Sequence, residues 1–179
     1  ECHPSAAVPF DLKKEFVPPV DVSLRYMWAT SLTVMRQLAE EQAKARVLVG
    51  GKVKGFLGRM AGIVEEFITA KQANHPVYLI GGFGGATKLL SDIIEKKKDV
   101  KADVLLDIAC EDAKYKELYE YYKSKGSQID YSILDIISVG DLKNNGLSDE
   151  ENLRLFHSVN IMEIVSLVLK GLSKTLNHA

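Results

Sequence analysis

Residues 76–90 read PVYLIGGFGGATKLL, and this stretch decides the fold. An apolar run ends at Ile80, and four glycines follow within the next five positions. A short buried run that ends in glycines is typical of a parallel strand that turns sharply into a helix. Apolar residues then recur at helical spacing after Gly85. The stretch therefore predicts a strand over 76–82, a tight turn, and a helix over 85–99.

The same order of elements occurs once before in the chain. The segment ARVLVGG (45–51) predicts a second buried strand, and GRMAGIVEEFITAKQA (58–73) predicts a helix after it. Residues 21–45 show helical spacing ahead of that strand. Alternating strands and helices imply right-handed βαβ crossovers. We therefore expect an α/β fold, with a Rossmann-like parallel sheet flanked by helices.

The C-terminal half is predicted to be mainly helical. Residues 101–109 are compatible with a strand or a helix, and Asp103 and Asp107 favour a helix or irregular structure. Ser148 with Glu151, and Asn160 with Glu163, have the spacing of helix-capping pairs. The further predicted helices cover 111–126, 131–141, 148–158 and 160–176.

Two clear strands are too few for a complete sheet of this class. Either further strands lie in the first twenty residues, or the first βαβ unit of the domain lies outside this chain, and the pattern favours the second alternative. Residues 1–20 hold four of the five prolines and show no sustained period. We interpret 1–20 as a lead-in or linker and 21–179 as one ligand-binding domain.

Composition argues against several classes of function. The 23 Lys and Arg residues nearly balance the 24 Asp and Glu residues, which does not favour nucleic acid or a membrane surface as a partner. Cys2 and Cys110 form no metal-type spacing, and the four histidines are scattered, so no metal site and no cofactor are predicted. The two distant cysteines and the lack of a signal peptide fit a cytoplasmic protein.

Two glycine-rich turns follow the two predicted strands, and both fall at the carboxyl edge of the sheet, where ligands bind. The helix that starts near Gly84 is expected to offer free N–H groups to a phosphate. Arg59 in the first loop could hold a phosphate bidentately. Acids in a first helical turn are ordinarily dipole partners, and for Glu65 and Glu66 ligand binding is the alternative that the two converging loops favour. The glycines match neither the P-loop nor the GxGxxG fingerprint, and a tight turn or close helix packing remains the alternative.

Four separated segments carry a family resemblance: RYMWATSLTVMR (25–36), GRMAGIVEEF (58–67), PVYLIGGFGGATKLL (76–90) and GLSDEENLRLF (146–156). They resemble the SLOG superfamily, and look most like its prokaryotic branch related to the amino-terminal domain of melastatin-type TRP channels. The resemblance implies a Rossmann-like domain that binds nucleotide-derived ligands. Related domains sense ADP-ribose or cyclic ADP-ribose signals, some of them in antiphage defence with TIR partners.

The resemblance also brings in an enzymatic class, the LOG phosphoribohydrolases, which cleave nucleotides at the N-glycosidic bond. They use an Arg on a helix and the Glu of a PGGxGTxxE loop. Arg36 matches that Arg, and Gly62 to Glu66 matches GTxxE, with Ile63 in place of Thr. The proline of the family's PGG motif is absent before Gly50, and the loop is longer than in that motif. These differences weaken the resemblance to the catalytic loop but leave ligand binding as an expectation.

Three functions follow as hypotheses. The first is a sensor that binds a nucleotide-derived signal, as a possible homo-oligomer or beside an effector domain of a longer protein. The second is a nucleotide N-glycoside hydrolase that uses Arg36 and Glu66. The third is a structural or oligomerisation domain. The predicted ligand-binding residues are Arg25, Arg36, Gly50, Gly51, Arg59, Gly62, Glu65, Glu66, Gly81, Gly82, Phe83, Gly84 and Gly85.

Overall fold

The computed structural model describes residues 18–96 and 100–176. Eight α-helices and two β-strands occur in these ranges, with short 3-10 segments at Gly81–Phe83 and Val139–Asn145. In chain order the elements are α1 (Val22–Gln42), β1 (Arg46–Val49), α2 (Gly62–Gln72), β2 (Val77–Ile80), α3 (Gly85–Ile94), α4 (Asp103–Cys110), α5 (Ala113–Ser124), α6 (Ile133–Ile136), α7 (Asp149–His157) and α8 (Ile161–Leu176).

The sheet of the described residues consists of β1 and β2, which run parallel. Their register places Leu48 beside Leu79 and Val49 beside Ile80. All four residues of β2 are buried, as a central parallel strand requires, whereas β1 is partly open. The described residues form a helix-rich, Rossmann-like α/β fold around this two-stranded sheet.

Helices cover both faces of the sheet. Leu48 and Leu79 point into the main core, together with Phe67 of α2 and Leu90 of α3. On the opposite face Tyr78 and Ile80 contact a second cluster, built by the segment after the second 3-10 turn and by α7 and α8. Both strands therefore end in loops with helices on either side, which is where the candidate site lies.

Most predicted helices are present, with some different limits. Residues 101–109 do contain a helix, α4. The prediction of a helix from residue 58 is wrong in its start, because α2 begins at Gly62 and the residues before it form an irregular loop. The prediction over 131–141 is also wrong in extent. The single turn α6 ends at Ile136, and the backbone of Ile137 is extended before the second 3-10 segment begins.

Two predictions lie partly outside the described residues. The lead-in over 1–20 is described only from Pro18 onward, and the predicted helix over 85–99 only as far as Lys96, with α3 ending at Ile94.

The predicted caps are confirmed in the C-terminal half. Ser148 and Glu151 form a reciprocal capping box at the start of α7. Asn160 Oδ1 accepts from the backbone N–H of Met162 and of Glu163. The Glu163 carboxylate does not close a second box, since it accepts from the Ser158 hydroxyl and pairs with Arg154. In the described part of the chain, no helix is both long enough and apolar enough to cross a membrane.

A buried asparagine links the sheet to the C-terminal half. Asn145 is fully buried, and its Nδ2 donates to the carbonyl of Val77 and to Oδ1 of Asn152, both at 2.8 Å. Its Oδ1 accepts from the N–H of Leu147, and its backbone carbonyl accepts from the Tyr78 hydroxyl. The side chain thus uses its donors and its acceptor to fix β2 to the start of α7.

Candidate functional site

The two glycine loops meet directly at the carboxyl edge of the sheet. The carbonyl of Gly51 accepts from the N–H of Ala86 at 3.0 Å, and the carbonyl of Gly50 accepts from the N–H and the hydroxyl of Thr87. These carbonyls of the β1 loop thereby cap the start of α3. The expectation of free N–H groups at this helix start is therefore wrong for Ala86 and Thr87, because the protein's own backbone occupies them.

Three of the glycines are needed for close packing. A Cβ at Gly82 would lie 2.1 Å from the carbonyl oxygen of Ser158, and one at Gly81 would lie 2.5 Å from that of Phe156. A Cβ at Gly85 would lie 2.5 Å from the carbonyl oxygen of Gly51. These are backbone contacts that cannot yield cheaply, so the three glycines let the loop approach α7 and the β1 loop.

Two other glycines have open space beside them. Gly50 and Gly84 have φ values of +63° and +79°, and nothing lies within 4 Å of a Cβ built on either. Phe83, next to Gly84, exposes 48% of its surface although it is a large apolar residue. These two glycines, which are open on the side where a Cβ would lie, and the exposed ring of Phe83 form the accessible part of the predicted glycine site.

Arg36 forms the centre of a second group of predicted residues, between α1 and α2. Its Nη1 lies 2.5 Å from Oε2 of Glu65, and its Nε lies 3.7 Å from Oε1 of Glu66. Gly62 allows the guanidinium to come this close, since a Cβ there would lie 2.8 Å from Nη2. The structure thus brings together Arg36, Gly62, Glu65 and Glu66, all four of which the sequence predicted.

Arg59 contacts a group of buried tyrosines. The Tyr115 hydroxyl donates to the Arg59 carbonyl at 2.6 Å, and the Nε of Arg59 is buried without a hydrogen-bond partner. Burial raises the pKa of the Tyr115 phenol, and it raises that of Tyr131 to about 12. These phenols remain protonated donors at neutral pH, so they supply no negative charge near Arg59.

Arg25 lies apart from Arg36, although both are on α1. Eleven residues separate them, which corresponds to about 16 Å along a helix. The Arg25 guanidinium pairs with Glu117 of α5 and donates to the carbonyl of Val20. It lines a cleft of about 280 Å³ between the start of α1, the loop after β1, and α5, together with Phe56 and Tyr115.

Two residues that contact the predicted site residues or their loops, Thr87 and Phe56, were not predicted from the sequence. Thr87 holds the two loops together, and Phe56 packs edge-on against Tyr115 at a centroid distance of 4.8 Å. The Thr87 contact could have been suspected from a hydroxyl in the first turn after a glycine cluster. Nothing in the local pattern around Phe56 distinguishes it from an ordinary core residue.

Residues 4–155 of the chain match a family model described as SLOG cluster2. No curated protein and no solved structure matched the chain. Among residues 18–96 and 100–176, no group of three or more His, Cys, Asp or Glu residues is placed to hold a metal ion. The family match covers well over half of the sequence and both glycine loops. The chain therefore belongs to the SLOG family, in the group described as SLOG cluster2.

Proposed function

We propose that this protein is a sensor domain that binds a nucleotide-derived signal of the ADP-ribose or cyclic ADP-ribose type. SLOG membership supports a nucleotide-related function in general. The observation that carries the proposal is the pair Gly50 and Gly84, whose left-handed backbone faces open space at the ends of adjacent parallel strands. Such strand ends are the usual ligand position in open α/β sheets.

The chemistry around this position fits a ligand with a base and phosphates. Phe83 offers an exposed aromatic face on which a base can stack. Lys52 is exposed in the loop that follows Gly51, and its ammonium can approach a phosphate as a point charge.

The test is a thermal shift of the whole chain with ADP-ribose, cyclic ADP-ribose, NAD and AMP. A ligand at 100 times its Kd stabilises the folded state by about 2.7 kcal/mol, which raises Tm by several degrees. We expect Phe83→Ala to reduce this shift. Ile136→Ala is the matched control, because Ile136 is 80% exposed and lies outside the glycine loops. Unchanged melting with all four compounds would contradict the proposal.

A nucleotide N-glycoside hydrolase is the second candidate, because the structure brings Arg36 and Glu66 together. Glu66 would stabilise an oxocarbenium-like centre or activate water, and Arg36 would orient the substrate. Incubation with AMP and NAD followed by chromatography tests this role. Released base that disappears in Glu66→Gln would favour the hydrolase, and the absence of released base would exclude it for these substrates.

A further inference from the structure

Helix α8 has two apolar faces, and only one of them is buried. Ile164 and Leu167 pack into the cluster on the Tyr78 face of the sheet. Another set of large apolar side chains on the same helix is exposed by 46% to 78%, namely Ile161, Met162, Val165 and Leu169. Helix α8 is therefore apolar over more of its circumference than packing onto this cluster requires.

The exposed side chains follow the spacing of a helix-packing seam. Met162, Val165, Leu169 and the partly buried Leu172 come at steps of three, four and three residues, and we call these four the outer seam. This is the a/d spacing with which two helices pack side by side. Ser166 and Ser173 follow the seam along one side, and such small side chains let a second helix approach closely. The outer seam thus has the form of a contact surface for another helix.

The outer seam carries no charge. The charged residues of α8 are Glu163, Lys170 and Lys174. Glu163 and Lys170 pair with residues of α7, and Lys174 donates to the carbonyl of Gly146. A partner that brought charged groups onto the seam would bury them without counter-charges, which is costly. The seam therefore fits an uncharged, apolar partner helix, and a second copy of the seam is one.

The sheet beside the outer seam has room for one more helix. Val47 and Val49 expose 47% each, and Val47 shares a sheet face with Tyr78, which α8 helps to cover. Ala45, just before β1, packs against the same cluster as Leu172, whereas the charged residues of α8 face α7. The seam thus lies on the β1 side of α8. Because parallel sheets are normally covered on both faces, a second helix beside α8 would complete this layer.

We propose that the outer seam is the interface at which a second copy of this chain docks, so that the protein forms a two-fold dimer with its α8 helices antiparallel. A two-fold interface needs a surface that complements itself, and this seam does so in shape and in charge. An antiparallel pair sets opposite ends of the two helix dipoles side by side and brings Met162 of one copy next to Leu169 of the other. The proposal does not depend on the ligand of the protein.

The size of the surface predicts how strongly the copies associate. The exposed apolar side chains of the seam and of β1 offer an area on the order of 600 Å² per copy, which is typical of an interaction patch. A standard stable interface buries about 800 Å² per partner. We therefore expect a reversible dimer with a Kd in the micromolar range.

Sedimentation equilibrium of the full chain over about 1–200 µM measures this association, with a monomer expected at the low end and a dimer at the high end. Leu169→Glu should raise the dimer Kd about 30-fold or more, because each copy then brings a charge to the seam. Ile136→Glu is the matched control, since it places the same charge at an exposed apolar residue of α6 and should leave the Kd unchanged.

Two charge variants test whether the same surface meets itself. One carries Met162→Glu with Leu169→Glu, and the other carries Met162→Lys with Leu169→Lys. Each should remain a monomer alone, and their mixture should form a mixed dimer that is strongest at low ionic strength.

The opposing results are distinct. A monomer at every concentration would overturn the proposal, as would a dimer that Leu169→Glu leaves intact or a failure of the two charge variants to associate. Thermal denaturation at about 1 µM, where the protein is monomeric, should give the same Tm for Leu169→Glu and the parent chain. A clear drop in that Tm would assign the seam to another segment of the same chain and would also overturn the proposal.

Discussion

Arg36 and Glu65 form a buried ion pair between α1 and α2, with Nη1 2.5 Å from Oε2 and side-chain exposures of 13% and 7%. The second Glu65 oxygen accepts from the Thr33 hydroxyl. Both charges have been removed from water, which costs several kcal/mol per ion. The Glu65 carboxylate is satisfied by Arg36 and Thr33, whereas the Nε of Arg36 is buried without a hydrogen-bond partner and lies 3.7 Å from Oε1 of Glu66.

Removing the Glu65 charge should therefore lower the free energy of unfolding by more than the loss of an exposed ion pair would. We expect Glu65→Gln to lower the free energy of unfolding by about 3 kcal/mol, since the buried Arg36 then keeps only the longer contact with Glu66. Urea denaturation measures the change. Glu66→Gln is the matched control, because that carboxylate is 3.7 Å from Arg36 and 28% exposed, and it should cost about 1 kcal/mol or less.

Replacing both partners separates the charge from the packing. The double variant Arg36→Met with Glu65→Leu should be clearly more stable than Glu65→Gln alone, since neither charge of the buried pair remains and Glu66 is 28% exposed. Equal free energies of unfolding for Glu65→Gln and Glu66→Gln would contradict the prediction that breaking the buried pair is especially destabilising.

The glycines of the second loop should differ sharply in their tolerance of alanine. In Gly82→Ala the new Cβ would lie 2.1 Å from the Ser158 carbonyl oxygen, so the loop and the end of α7 must separate. We expect a loss of about 3 kcal/mol or more in the free energy of unfolding, as for overpacking of a close backbone contact. Gly84→Ala meets no atom, and should cost about 2 kcal/mol through its backbone geometry alone, because φ of +79° with ψ of −158° is essentially restricted to glycine.

Urea denaturation again compares the two variants. In Gly84→Ala the folded protein can also be tested for its response to ADP-ribose, because we expect that variant to fold. The distinction between a packing glycine and an accessible one would be refuted by similar losses at Gly82 and Gly84.

The sequence predicted the strands and the glycine turns well, because their signals are local. Apolar runs that end in glycines at residues 49–51 and 80–82 require only short-range preferences. That Arg36 and Glu66 belong to one site was implied by the family resemblance, whereas the ion pair of Arg36 with Glu65 was not predicted. The partners of Gly82 could not be predicted, because Ser158 is 76 positions away and nothing in a single sequence shows which backbone will approach a glycine.

The same limit explains the wrong expectation for the start of α3. A glycine loop before a helix predicts an anion site only if no other group occupies the N–H groups. The carbonyls of Gly50 and Gly51 occupy them here, and this follows from the parallel register of β1 and β2. Local preference also failed over 131–141, where the chain leaves helical geometry at Ile137.

Asn145 should be among the least replaceable polar residues. We expect Asn145→Ala to lower the free energy of unfolding by about 3 kcal/mol, because the carbonyl of Val77 and the N–H of Leu147 both lose a buried partner. Asn144→Ala is the matched control: its amide donates to the carbonyls of Asn74 and His75 at a partly exposed position. Thermal denaturation of both variants should show a clearly larger drop in Tm for Asn145→Ala, and the reverse order would contradict the network.

Glu151 should contribute to stability in a manner that depends on pH. The Lys170 ammonium and the N–H of Ser148 favour the carboxylate and lower its pKa below the ordinary value of 4.5. Because the pKa is lower in the folded state, this stabilisation is complete at pH values above 4.5 and is lost as the pH falls through the folded pKa. We expect Glu151→Gln to lower the free energy of unfolding by about 1 kcal/mol at pH 7, as for loss of a cap, with the difference from the parent protein shrinking toward about pH 3.

Glu150→Gln, an exposed change in the same helical turn, is the control and should give a smaller difference at pH 7. Urea denaturation at several pH values would refute this role if the Glu151→Gln difference stayed constant throughout.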